Sequence, residues 1–339
     1  MTSVDQVRIH APGQVSLDRV ELPECGPRDA IVEVHACGIC GSDLSYIKLG
    51  GLAGPSGEPM PLGHELAGIV KAVGAEVTDV VPGQRVVVHP AEEIGSGSNE
   101  GGLAGEVFVR NAAKGGRLFP IPDDMPLTIA ALAEPVAVGM HAAEQLHVGV
   151  DDKVAVFGCG PIGLAAIASL ADRGLTDIVA IDLSMTRRRL AEQLGASETI
   201  DPATQKVWRE LERIHGTAPL MFGHSAATTG FIEASGSPKV LTDIIDRGGA
   251  GAHISVVALH YNPVPVNFLN VLMKELVIRG SIAYPERFSD AIDLLHRRDL
   301  STMITDRFPI GEIDAALEVL SGSKECGKVM IEMRSAGSC

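Results

Sequence analysis

At 339 residues the chain is long enough for two domains and short for three. An apolar fraction of 45% with 21% charged residues excludes a disordered or fibrous chain. A net charge of −15 excludes sequence-independent binding to nucleic acid or an anionic membrane, since both need a basic face. No apolar run reaches the roughly 18 residues of a membrane-spanning helix, and the N-terminus lacks a charged-then-apolar leader pattern. Six cysteines make no disulfide scaffold, so a reducing cytoplasm is the expected compartment. With 38 glycines and 4% aromatics, the expectation is an α/β protein with many tight turns.

The first part of the chain reads as mainly β. Val32-Glu33-Val34-His35-Ala36 alternates like a half-buried strand. Cys37-Gly38-Ile39-Cys40 follows, with a spacing common to redox and zinc sites, but no second Cys or Cys/His pair lies near it. In Gly63-His64-Glu65-Leu66-Ala67-Gly68 two adjacent metal-ligand types sit between glycines. Such a turn is either solvated or brings the backbone close to a metal, and zinc accepts thiolate, imidazole and carboxylate. Ile69–Val73 and Arg85–His89 predict short barrel or sandwich strands. Glu92–Gly105 is glycine- and serine-rich and predicts an exposed loop. Glu134 interrupts the apolar stretch Ile129–Val138, and a carboxylate there either caps a helix or serves a function.

From Asp151 the pattern becomes strand alternating with helix. Lys153–Phe157 is a continuous apolar run, as in a parallel strand buried on both faces. Gly158-Cys159-Gly160-Pro161-Ile162-Gly163 comes next and opens a helix over Leu164–Asp172. In that context the three glycines are a dinucleotide fingerprint: a tight turn, a close approach to pyrophosphate, and tight helix–strand packing. The helix N-terminus offers free N–H groups to the phosphates. Asp182, nineteen positions after Gly163, ends the next strand (Ile178–Ile181) where a carboxylate meets the adenosine ribose hydroxyls. It would repel a 2′-phosphate, which favours NAD, although Arg187-Arg188-Arg189 leaves NADP open. Further strands are expected at Phe231–Glu233, Ile254–Leu259 and Leu276–Ile278, giving right-handed βαβ units in a doubly wound sheet. Trp208 reads as packing on an amphipathic helix, and Gly216–Thr229 is unusually long and apolar for its place, a candidate oligomer contact. Cys159 reads as a small packing residue, and Cys25, Cys326 and Cys339 have no partner pattern. Helices at Phe288–Arg297 and Ile313–Leu320 and a strand at Lys328–Ile331 are expected to return to the first domain.

These residues resemble a known family. Gly63-His64-Glu65-x-x-Gly68-x5-Gly74-x-x-Val77 and Cys40-Gly41-Ser42-Asp43 resemble the zinc-dependent medium-chain alcohol dehydrogenases. Ala133-Glu134-Pro135-Val136-Ala137-Val138-Gly139 is similar to the sorbitol, threonine and butanediol dehydrogenase branch, as are Lys274–Ser281 and Cys326-Gly327-Lys328-Val329. The resemblance implies a GroES-like, mainly-β catalytic domain over 1–145 and 285–339 and a Rossmann domain over 146–284. It implies Cys40, His64 and Glu65 as zinc ligands, with Glu134 binding directly or through water. Asp43 would orient His64, and Ser42 would take the substrate proton. Ile162, Asp182 and Arg187 would contact NAD, with Val257, Ala258 and Leu259 against the nicotinamide. Tyr46 and Tyr284 would line the substrate pocket. It further implies an alcohol as substrate and a homodimer or homotetramer.

Three departures sharpen the expectation. The family's lobe of four cysteines has no counterpart, because no cysteine lies between Cys40 and Cys159. One catalytic zinc and no structural zinc are therefore expected. Ser45 stands where many relatives carry a proton-relay histidine, and a hydroxyl cannot buffer a proton near neutrality. Ala283-Tyr284 replaces the Arg-Tyr of polyol-specific relatives, which points to a smaller or more apolar secondary alcohol or diol. Two alternatives stay open: a zinc-free medium-chain NAD(P)H reductase and a non-catalytic NAD-binding protein.

Overall fold

A computed structural model describes residues 3–91, 93–322 and 325–333. Glu92, at the head of the expected loop, and Cys339 lie outside the described residues. The chain divides into two compact units, 1–134 with 295–339, and 135–294. The junctions thus fall at 134/135 and 294/295, not at 145/146 and 284/285. Helix packing explains the first difference. In the helix Ala133–Glu144, Gly139 lies so close to Ala165 and the Ile162 carbonyl that a Cβ would overlap both. The body of that helix is thereby committed to the second unit.

The first unit is mainly β. Across its larger sheet run Ile304–Pro309, Lys328–Glu332, Ala30–Ile39, Glu65–Val73, Arg85–Val88 and Leu118–Pro120, while Glu106–Val109 also pairs with Ala30–Ile39. A smaller sheet joins Gln14–Glu21, Ser3–Ala11 and Met60–Pro61. Ala30, Val32, Val34 and Ala36 are buried in alternation, the period of two that a strand with one core face requires. Around them pack Val7, Ile9, Leu62, Leu66, Val70, Val86 and Val88. The C-terminal strand returns to this core, placing Val329 opposite Ile39 and Ile331 opposite Cys37.

The second unit holds a six-stranded parallel sheet. Its order is Glu198–Ile200, Asp177–Ile181, Lys153–Phe157, Gly230–Glu233, His253–Val256 and Val277–Gly280. Val154, Ala155 and Val156 are fully buried, as expected of a strand covered on both faces. The chain winds outward from Lys153–Phe157 in one direction, then returns to wind outward in the other. That reversal creates a switch point at the carboxyl ends of Lys153–Phe157 and Gly230–Glu233, where such sheets bind ligands. Trp208 packs on Phe157 and Phe231, at 6.0 Å ring separation from each. Within Gly216–Thr229 the chain forms a hairpin, Thr217–Pro219 against His224–Ala226, with Met221 and Phe222 exposed between the strands.

Candidate metal and nucleotide sites

In the first unit, a strand-to-helix turn positions the thiol. Cys40 caps the helix Gly41–Leu49, and its N–H donates to Asp43 Oδ2 at 2.8 Å. The neighbouring strand Glu65–Val73 pairs Glu65 with Gly38, which brings the second segment alongside the first. Gly63 has φ of +92°, and a Cβ there would lie 2.5 Å from Leu103 N and 2.9 Å from Cys37 Sγ. Only glycine makes that turn, and it delivers His64 and Glu65 to the same place as Cys40. A sulfur, a ring nitrogen and a carboxylate oxygen from Cys40, His64 and Glu65 lie within 4.8 Å of one another.

The surroundings of these three residues set their roles. His64 Nδ1 is 3.6 Å from Asp43 Oδ1, and His64 Nε2 is 3.5 Å from Ser42 Oγ. Asp43 is fully buried, and burial pushes its carboxyl above the usual range. Burial pulls the His64 imidazole down, but the Asp43 carboxylate and Cys40 outweigh it and hold the ring well above its ordinary value. The site therefore favours positive charge at His64, whether a proton or a metal. Glu134, buried in the first turn of its helix, stands outside the three-residue set yet favours the charged forms of both His64 and Lys328.

Lys328 is the site residue that sequence reasoning left without a role. Its Nζ lies 2.6 Å from both carboxylate oxygens of Glu65 and donates to the Ile39 carbonyl at 3.1 Å. Burial pulls its pKa down, and Glu65, with Cys40 and Glu134, more than restores it. A lysine inside the apolar run Lys328–Ile331 was the available signal, since a buried cation requires a partner. Gly38 makes room for the pair, because a Cβ there would overlap Glu65 Oε2. Three buried carboxyls (Asp43, Glu65 and Glu134) thus face one ammonium. That imbalance, with thiol and imidazole donors beside it, fits a divalent cation of zinc's preferences.

The remaining predicted residues of this unit have other surroundings. Cys37 is fully buried in the core beside Gly63, so the C-x-x-C spacing joins no pair of thiols at the metal set. Tyr46 packs against the unit's core. Ser45 turns back to the Gly41 carbonyl at 3.4 Å.

In the second unit the three glycines separate by function. Gly158 has φ of +93°, and a Cβ there would sit 2.7 Å from Ser235 N. A Cβ on Gly163 would overlap the Gly158 carbonyl oxygen. A Cβ on Gly160 would meet nothing within 4 Å. The protein itself therefore has no need of glycine at 160, and the open space lies at the N-cap of the helix Pro161–Asp172. A pyrophosphate fits that cradle, with Pro161 and Ile162 in the helix's first turn beneath it. Asp182 Oδ2 accepts from the Cys159 N–H at 2.7 Å, and Oδ1 accepts from the Ser184 N–H at 2.8 Å. Each oxygen keeps a lone pair for a ribose hydroxyl.

Of the arginine triplet, Arg188 is engaged within the unit. Arg188 donates to the carbonyls of Asp182 and Leu183 at 2.7 and 2.9 Å and reaches Asp201 at 3.3 Å. Arg187 takes its place through its backbone N–H, which Ser184 Oγ caps at 3.0 Å. Val257 and Ala258 donate their N–H groups to the Glu233 carbonyl at 3.0 and 3.2 Å, and Leu259 is exposed beyond them. Their strand ends at Val256, short of the expected Leu259, because the chain turns onto Glu233. Tyr284 stacks edge-on against Phe288 at 5.4 Å. No helix among the described residues is long and apolar enough to cross a membrane.

Comparison with known proteins shows the family and the fold. Residues 26–123 match the alcohol dehydrogenase GroES-like domain, and residues 161–297 match the zinc-binding dehydrogenase domain. Sorbitol dehydrogenase of Gallus gallus is 31% identical, over 97% of this chain and 95% of that protein. The crystal structure of 2R,3R-butanediol dehydrogenase from Bacillus subtilis superposes with a TM-score of 0.85 at 27% identity, covering 98% of this chain and 100% of that one. A zinc-binding dehydrogenase structure from Sinorhizobium meliloti 1021, bound to NADP, gives 0.84 at 28% identity, over 98% and 100%.

Proposed function

The chain belongs to the zinc-binding medium-chain alcohol dehydrogenases, and from that premise we propose that it moves a hydride reversibly between NAD and a secondary alcohol or diol. The observation that carries this reading is the set of Cys40, His64 and Glu65 beside Ser42, the one such group of potential metal ligands among the described residues. A zinc-free reductase has no use for such donors.

Cys40, His64 and Glu65 would hold one zinc per chain, with Glu134 directly or through a water. Bound zinc supplies Lewis-acid polarisation of the substrate oxygen, and bound NAD accepts the hydride. Ser42 Oγ would accept the alcohol proton while handing its own hydroxyl proton on, so the serine stays neutral. Asp43 orients the His64 ring through Nδ1. Lys328 neutralises Glu65 and keeps it from dominating the metal's charge. Gly160 admits the pyrophosphate, Asp182 holds the adenosine ribose, and Arg187 lies on the adenine side. Val257, Ala258 and Leu259 border the nicotinamide.

NAD is preferred to NADP because Asp182 repels a 2′-phosphate while Arg188 is tied to main-chain carbonyls. Sorbitol and butanediol dehydrogenases among the relatives frame the substrate class, and Ala283 in place of an arginine favours the smaller diols. We place the protein in the reducing cytoplasm, consistent with unbridged Cys25, Cys37, Cys40 and Cys159. It is a homodimer or homotetramer. Exposed Phe268, Leu269 and Leu272 on the helix Phe268–Lys274, with Ile282 after the edge strand Val277–Gly280, supply an apolar contact surface.

Screening short diols and secondary alcohols with NAD, and following NADH formation, tests the reading. Turnover of at least one small diol, with little on sorbitol, is expected. No turnover of any alcohol by zinc-replete protein would overturn it.

A further inference from the structure

Glu233 ties together the edge of the sheet where a dinucleotide's nicotinamide half would lie. Its carbonyl accepts from Val257 and Ala258, as described above. Its Oε1 accepts from the Ser235 N–H at 2.9 Å, the Gly236 N–H at 3.0 Å and Ser235 Oγ at 2.5 Å. Its Oε2 is 2.9 Å from His260 Nε2. Glu233 is completely buried, and the His260 side chain is only 10% exposed.

The second nitrogen of that ring has no partner. His260 Nδ1 is buried and makes no hydrogen bond among the described residues. Such an atom is costly unless something else satisfies it. A carboxylate oxygen only accepts, so Nε2 carries a hydrogen toward Glu233, and the tautomer with its one hydrogen there presents a lone pair at Nδ1. To that lone pair a ligand brings a hydrogen-bond donor.

Topology says which donor. Pyrophosphate at Gly160 and ribose at Asp182 place the adenosine half over Asp177–Ile181 and Glu198–Ile200. The nicotinamide half then runs the other way from the switch point, over Gly230–Glu233 and His253–Val256. His260 follows the second of these strands. The nicotinamide ring's own donor is its carboxamide N–H2 group.

We propose that His260 is a cofactor-binding residue whose Nδ1 accepts a hydrogen bond from the nicotinamide carboxamide, with Glu233 holding the ring in place. The proposal rests on the dinucleotide reading of the Gly158–Gly163 turn.

Three probes separate the possibilities by equilibrium binding, without turnover: NADH, its reduced 3-acetylpyridine analogue, and ADP-ribose. The analogue keeps the carbonyl but has no N–H, and ADP-ribose has no nicotinamide at all. The expected result is that His260→Leu weakens NADH about tenfold, leaves ADP-ribose unchanged and abolishes the preference for NADH over the analogue. His260→Gln, which offers a donor to Glu233 and an acceptor to the cofactor, retains that preference. It carries the test should the leucine variant fail to fold. Equal weakening of NADH and the analogue would overturn the proposal in favour of a group that both share, a ribose hydroxyl or the carbonyl oxygen. Weakening of ADP-ribose as well would overturn it in favour of a purely structural role. Wild-type protein that binds none of the three would remove the dinucleotide reading itself.

Discussion

Lys328 Nζ stands 2.6 Å from each carboxylate oxygen of Glu65, and both side chains are out of contact with solvent. The metal set therefore includes a carboxylate whose charge is already matched inside the protein. Replacing Lys328 with methionine leaves Glu65 buried without its partner, a loss of about 3–5 kcal/mol. Urea unfolding measures it. The double variant Lys328→Met with Glu65→Leu recovers most of that loss, because it removes both buried charges. A single variant as stable as wild type would show that the pair does not hold the strand Lys328–Glu332 in place.

The glycine turn gives two variants with opposite effects. Gly163→Ala collides with the Gly158 carbonyl and destabilises the fold. Gly160→Ala meets nothing in the protein and leaves thermal unfolding unchanged. Its methyl group instead occupies the pyrophosphate space, so NADH affinity falls at least tenfold. Calorimetry with and without NADH checks both arms. Unimpaired NADH binding by Gly160→Ala would remove the pyrophosphate from that cradle.

Asp182 has a structural and a selective role, and the two can be separated. Asp182→Asn keeps an oxygen for one of the N–H donors at Cys159 and Ser184 but loses the negative charge. Its stability drops by about 1 kcal/mol, while the ratio of NADP to NAD affinity rises several-fold. Paired dinucleotide titrations measure the ratio. No change would mean that the carboxylate does not face the ribose.

Acid sensitivity in the second unit comes partly from His215. Burial pushes its imidazole down to about 4, and Nδ1 is held 2.8 Å from Thr228 Oγ1. The unfolded chain takes up this proton near pH 6.5. Between those values the unfolded state binds more protons, so native stability falls as pH falls. Below about pH 4 this contribution is flat. His215→Gln therefore loses less stability than wild type between pH 7 and pH 5. An identical slope in the two proteins would assign the acid limb to other groups.

What the sequence revealed depended on distance along the chain. The dinucleotide turn is local: strand, three glycines and helix N-terminus lie within Lys153–Asp172, and spacing alone conveys the geometry. Cys40 and His64 are separate in sequence, yet each sits in a short motif whose residue types announce metal chemistry. The Glu65–Lys328 pair joins residues 263 positions apart and depends on the C-terminal strand lying antiparallel to Ala30–Ile39. The sequence places Lys328 in a strand but does not show what the side chain meets. His260 and Glu233 were illegible for the same reason, since their contact depends on the loop after His253–Val256 meeting the carboxyl end of Gly230–Glu233. Arg188 shows the converse, where composition suggested a free phosphate ligand and the fold had already engaged it.

The central claim is a zinc held by Cys40, His64 and Glu65, and elemental analysis tests it most directly. Wild-type protein purified without added metal and its Cys40→Ala variant are measured side by side. About one zinc per chain in the wild type, with zinc and turnover lost together in the variant, is the predicted result. Wild-type protein that holds almost no zinc and gains none on reconstitution would contradict the account, as would a Cys40→Ala variant that keeps both zinc and full activity.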